Sequence, residues 1–136
     1  MRYLVDANVL SEPTRPVPDA KVVEWLRWNE REIAVDPVIL GEIHFGILLL
    51  RRGKKRAALE RWFEAGVQRL HCLPWAAETG LEWAQLLARL RGSGRAMPIK
   101  ASLIAATALL HGLTVVTRNR ADFEQADVGI IDPFAA

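Results

Sequence analysis

Five short apolar runs, each separated from the next by sequence that reads as helix, constrain this chain more than any other feature. They are "YLV" at Tyr3–Val5, "EIAVDP" from Glu32, "RLHCLP" from Arg69, "LTVVTR" from Leu113 and "VGIIDP" from Val128. Each is a continuous apolar stretch rather than an in–out alternation, so strands made from them need cover on both faces. The intervening segments supply that cover. Asp19 can cap a helix with Val22, Val23 and Leu26 on one face, and Pro37 suits the first turn of a long apolar helix, "VILGEIHFGILLLRR", ending before Gly53. "KKRAALERWFEAGV" places Leu59, Trp62 and Phe63 on one side, "AAETGLEWAQLLARLRG" closes at Gly92, and "MPIKASLIAATALLHG" is small and apolar. "NVLSEPTRP" is a single helical turn broken by Pro13 and Pro16, and "RADFEQA" another short turn. Strands alternating with helices predict a three-layer α/β/α domain around a mostly parallel sheet. At 136 residues, with no linker-like composition, the chain reads as a single domain over 1–136.

Composition removes several function classes. Cys72 is the one cysteine, which excludes an internal disulfide and a cysteine-based zinc site and suits a reducing cytoplasm. No stretch approaches the roughly 18 uncharged apolar residues of a membrane span. Asp6 interrupts the first apolar run too early for a signal peptide. A net charge of +2 permits a nucleic-acid partner without requiring one. Walker A, GxGxxG and GxSxG patterns are absent. His44, His71 and His111 have no second ligand at helical spacing.

In open parallel sheets ligands bind beyond the carboxyl ends of the strands. Asp6 stands directly after the first strand, and Thr117, Asn119 and Asp122 follow the fourth. Glu42 lies early in the helix after the second strand, in otherwise apolar surroundings where an idle charge is costly. Together these polar groups can form a rim suited to Mg²⁺ or Mn²⁺, since clustered carboxylates repel unless a cation neutralises them. Plainer readings stand beside this one. Asp6, with Asn8, can cap the turn that follows it, Glu42 can form a structural ion pair, Thr117 and Asn119 can shape a turn, and Asp122 is a natural N-cap. The basic run "RRGKKR" at 51–56 can contact phosphates or simply be a solvated connection, the commoner case. The head of the penultimate helix, Lys100-Ala101-Ser102, carries no acid at all.

The segments "LVDANVLSEP", "VILGEIHFGI" and "SLIAATALLHGLTVVTRNRADFE" together resemble PIN-domain proteins of the VapC toxin type, nearly end to end. The resemblance implies a Mg²⁺- or Mn²⁺-dependent endoribonuclease cutting RNA, often tRNA, to leave a 5′-phosphate and a 3′-hydroxyl. By position, Asp6, Glu42 and Asn119 match the catalytic set, with Asn8, Thr117 and Asp122 in support and Arg118 and Arg120 as candidate RNA contacts. It further implies a cytoplasmic homodimer held by a small VapB-type antitoxin, reaching operator DNA only through that partner. The apolar faces around Trp25, Trp28 and Trp62 are the expected interfaces. Two positions depart from the pattern. Ala101 falls where the family carries its third metal-binding Asp, and Ala7 where it usually carries Thr or Ser. Loss of one carboxylate weakens a Mg²⁺ site that depends on few direct ligands, so the chain as written is expected to be inactive or nearly so. Ala101 is then either a knockout substitution or the mark of a natural non-catalytic module that acts with a DNA-binding antitoxin. In an aspartyl-phosphatase-like alternative Asp6 is a nucleophile, but such sites want a second Asp where Asn8 stands.

Overall fold

The computed structural model describes residues 1–135. All five apolar runs are strands: β1 (Tyr3–Val5), β2 (Ile33–Val35), β3 (His71–Cys72), β4 (Thr114–Val116) and β5 (Ile130–Ile131). They form one all-parallel sheet in the order β3-β2-β1-β4-β5. The helices are α1 (Ala7–Leu10), α2 (Ala20–Trp28), α3 (Pro37–Leu48), α4 (Lys54–Ala65), α5 (Ala77–Gly92), α6 (Ile99–His111) and α7 (Arg120–Phe123). This is the three-layer α/β/α arrangement expected from the sequence.

The central strand explains the rest of the packing. β1 pairs with β2 through Tyr3↔Ile33 and with β4 through Leu4↔Val115, so Leu4 and Val5 are enclosed on every side. Val35, Ile39, Val115, Val116, Ile104 and Leu86 complete the core from neighbouring strands and the helices above and below. Burying side chains of this size stabilises by about 1.5–3 kcal/mol each, which is why uninterrupted apolar strands are retained.

Helix ends follow local chemistry. Asp19 caps α2 by accepting from the Lys21 amide at 2.9 Å, as expected. Gly112 adopts the left-handed conformation (φ 65°) that closes α6 and turns the chain into β4. The long apolar helix is shorter than its sequence suggested: α3 stops at Leu48 rather than just before Gly53. Ile47 is its last buried residue, whereas Leu48 and Leu49 are exposed, so no packing supports a further turn.

The strand order matters most for function. Leaving β1, one connection goes to β2 on one side, while β4 lies on the other, so the order reverses between β1 and β4. The cleft at the carboxyl end of such a reversal is where doubly wound sheets bind ligands.

Candidate functional site

Asp6 sits in that cleft by construction. Its amide donates to the Val116 carbonyl across the β1–β4 pair at 2.8 Å, and the chain then turns into α1 with Asp6 as N-cap. Its Oδ1 accepts from the Ala7 amide at 2.8 Å, and its Oδ2 accepts from the Thr117 hydroxyl at 2.8 Å and from the Asn8 amide group at 3.4 Å. The cap reading of Asp6 therefore holds, and the residue stands at the carboxyl edge of the sheet. Asn8 knits the cleft further, its Oδ1 accepting from the Arg118 amide at 3.1 Å. The Thr117 hydroxyl also accepts from the Asn119 amide at 3.0 Å. Burial pushes the Asp6 carboxyl above its ordinary value; the Thr117 hydrogen bond opposes this, the nearby Glu42 charge adds to it, and the Ala7 amide and Lys100 oppose it.

Glu42 reaches the same neighbourhood from α3. Its Oε2 accepts from Lys100 Nζ at 3.1 Å, a bridge between α3 and α6. Its Oε1 is buried and has no hydrogen-bond partner. The ion-pair reading of Glu42 is thus realised on one oxygen, and the other is left orphaned. Ala101, 5% exposed in the first turn of α6, follows directly on Lys100. A groove of about 290 Å³ runs from Glu42 between α1, α3 and α4, lined among others by Asn8, Gly46 and Trp62.

Some expected residues are placed differently. Asp122 is not an N-cap: α7 begins at Arg120, Asn119 occupies the cap position, and Asp122 lies inside the first turn. The Asp122 amide donates to the Asn119 carbonyl, and the turn forms from that backbone bond without a side-chain acceptor. The Asn119 side chain is exposed and makes no capping bond. Arg118 and Arg120 are exposed but engaged, Arg118 over the Phe134 ring (4.6 Å to its centroid) and Arg120 toward the Ile130 carbonyl at 3.5 Å. Of the three tryptophans expected at interfaces, only Trp28 is exposed (79%); Trp25 meets Tyr3 edge-on and Trp62 lies half-buried in the groove.

Two polar residues gain importance only from the structure. Lys100 is the cation of the rim. Asp36, fully buried at the end of β2, caps α3 by accepting from the Ile39 amide at 3.0 Å and accepts from the Thr107 hydroxyl of α6 at 2.7 Å. It pins together the two helices that carry Glu42 and Ala101. Burial raises its carboxyl above the ordinary range, with both hydrogen bonds opposing. The "DP" at the head of α3 is a cap–N1 signal that could have found it.

Among the described residues no three His, Cys, Asp or Glu side chains come together as a metal-binding group. Both Asp6 oxygens already accept hydrogen bonds, and an ammonium holds one oxygen of Glu42. Glu42 Oε1 alone is an available hard donor. This set does not fit a firmly held Mg²⁺ or Mn²⁺.

A PIN-domain family model matches residues 3–129. The chain is 33% identical over 135 residues to Toxin FitB of Neisseria gonorrhoeae, covering 96% of this chain and 97% of that one. It is 30% identical over 135 residues to VapC ribonuclease Y4jK of Sinorhizobium fredii, covering 96% of each. It superimposes on the structure of FitAB bound to an IR36 DNA fragment with a TM-score of 0.90 and 32% identity, over 97% of this chain and 95% of that one.

Proposed function

The chain belongs to the PIN-domain family, in its VapC-type branch, and from that premise we propose that it is the toxin half of a type II toxin–antitoxin pair, an RNA-cleaving scaffold silenced at position 101. The observation that carries this reading is the rim itself. Asp6 and Glu42 stand within electrostatic reach of one another at the sheet's reversal point, and Ala101 follows directly on Lys100, whose ammonium holds Glu42. In this reading Asp6 and Glu42 are the surviving acids, Thr117 and Asn8 fix the Asp6 carboxylate, and Asn119 and Asp122 border the rim. Lys100 supplies positive charge beside the two acids: it pairs with Glu42 and lowers the Asp6 carboxyl.

With aspartate at 101 the rim has three carboxylates, the donor type that Mg²⁺ and Mn²⁺ take. The test is paired: Mg²⁺-dependent cleavage of total tRNA by this chain and by its Ala101→Asp variant. Cleavage by the variant alone is expected. Cleavage by neither, across several RNAs, would reject a silenced nuclease; cleavage by both would reject the silencing role of Ala101.

The partners follow from the same premise: a small VapB-type antitoxin, operator DNA contacted only through it, and a homodimer in the cytoplasm. None of the helices among the described residues is long and apolar enough to cross a membrane. Phe45, Leu48, Leu49 and Ile99 are exposed and supply more apolar surface than the tryptophans first considered. A solution mass equal to one chain would contradict the dimer. A second reading draws on the Lys100–Glu42 pair, which completes the site electrically without a metal. It makes the chain a non-catalytic module that acts with a DNA-binding antitoxin. It predicts that the Ala101→Asp protein still cleaves nothing, while the chain retains its antitoxin and its operator.

A further inference from the structure

The steepest charge asymmetry of the molecule lies outside the rim. The connection between α3 and α4 reads Arg51-Arg52-Gly53-Lys54-Lys55-Arg56. Its five cations outnumber the chain's whole net charge of +2, so the rest of the protein is net acidic. Arg51, Arg52, Lys54 and Lys55 are exposed, and among the described residues none of them forms an ion pair. Only Arg56 is committed, to Glu60 at 3.5 Å and to the Leu50 carbonyl at 3.3 Å.

The placement opposes folding. Lys54, Lys55 and Arg56 form the first turn of the 12-residue helix α4, and no acid accompanies them there. The first turn is the positive end of the helix dipole, where Asp and Glu stabilise and cations do the reverse. Gly53 at the cap offers no side-chain acceptor. A solvated turn has no need of this pattern, which a polyanion would offset. The arginines nearest the rim are already engaged within the chain, Arg118 over Phe134 and Arg120 toward a backbone carbonyl, whereas those of the turn are not. A shallow hollow of about 340 Å³, lined by Arg52, Gly53, Arg56, Ala57 and Glu60, opens at the turn. α3 carries the chain from Glu42 to Leu48, roughly 9 Å at 1.5 Å per residue, and three more residues reach Arg51, a short distance on a folded RNA.

We propose that the Arg51–Lys55 turn is the docking surface for the phosphate backbone of the RNA. This rests on the ribonuclease reading above. Being catalytically silent, the chain as written suits a binding measurement. Fluorescence anisotropy with labelled total tRNA, in EDTA and over a salt series, compares it with two quadruple variants of equal net charge. One is Arg51→Glu/Arg52→Glu/Lys54→Glu/Lys55→Glu; the other is Arg31→Glu/Arg69→Glu/Arg89→Glu/Arg91→Glu, at exposed arginines elsewhere. The turn variant is expected to bind at least tenfold more weakly than the control variant. Its log K against log salt slope should fall by about three units, near 0.7 per lost single-strand phosphate contact. Its melting temperature should stay level or rise, because the new acids suit the start of α4. Equal losses in the two variants, or undiminished binding by the turn variant, would overturn the proposal while leaving the ribonuclease reading intact. Duplex DNA competing as well as RNA would overturn the choice of partner. No RNA binding by the unaltered chain would overturn both readings together.

Discussion

The two acids of the rim are held in opposite ways. Asp6 is locked into the β1–β4 junction, both oxygens accepting from groups that the fold itself delivers: the next amide, a hydroxyl at the end of the neighbouring strand and the Asn8 side chain. Glu42 projects from a helix with one oxygen on an ammonium that is 59% exposed and the other on nothing. The first half is built into the β1–β4 junction through Asp6, Thr117 and Asn8. The second depends on side chains at the head of α6, where Lys100 holds one Glu42 oxygen and Ala101 brings no acid. The silencing proposed at position 101 thus acts at the loosely held edge of the rim rather than at its fixed cleft.

The largest test of that contrast is Ala101→Asp, which should move RNA cleavage from background to readily measurable. It carries a second signature. A third carboxylate at a position only 5% exposed adds repulsion to a region already short of cations. Without divalent ions the variant should therefore be destabilised by about 1–3 kcal/mol, and Mg²⁺ or Mn²⁺ should restore its melting temperature, whereas the chain as written should respond little. An Ala101→Asp protein as stable in EDTA as its parent, and indifferent to Mg²⁺, would remove the metal-site interpretation of position 101.

Thr117→Val probes the architectural half. It deprives the buried Asp6 Oδ2 of its 2.8 Å donor at nearly constant volume, leaving only the longer Asn8 contact. A loss of about 1–3 kcal/mol in chemical denaturation is expected, with the Asp6 carboxyl rising further above its usual range. A neutral result would mean that the cleft is less tightly knit than the helix edge, reversing the comparison.

Much of this organisation was legible in the sequence because it rests on local or periodic signals. All five strands are apolar runs, the Asp19 cap is a single-residue signature, and Asp6 is placed by the strand it ends. Pairings across the fold were not legible. Lys100 and Glu42 are 58 residues apart, and Asp36 and Thr107 are 71 apart; nothing local to either residue names its partner. Asp122 misled because an acid near a helix start reads as a cap until the backbone turn shows which residue precedes the first helical amide. The end of α3 was misplaced for a related reason: leucines at 48–50 look like continuing helix, and only the absence of anything packed on Leu48 and Leu49 halts it.

Asp36 offers a subtler test, since it couples the rigid and the loose halves. Its folded carboxyl lies above the ordinary Asp value of 3.8, so its protonated form is the one the fold favours. The contribution of that shift is fully present below the unfolded value and is lost as pH rises through the folded one. Asp36→Asn cannot titrate. The stability of the variant relative to its parent should therefore improve as pH climbs from about 4 toward neutrality, read from denaturation midpoints. A constant difference across that range would show that the folded carboxyl titrates no higher than it does in the unfolded chain.

Lys100→Met should have the smallest effect on stability. Its pair with Glu42 is partly exposed, and such pairs contribute at most about 1 kcal/mol, so the melting temperature should barely move. Its electrostatic effect is sharper. Lys100 lowers the Asp6 carboxyl and Glu42 raises it, so Lys100→Met should shift the Asp6 titration upward and Glu42→Gln downward, as followed by carbonyl-carbon NMR. The opposite signs separate charge from packing, since removing either long side chain loosens the same contact. If both variants move Asp6 the same way, the two halves of the rim communicate through structure, and the division between a fixed cleft and a controlling edge fails.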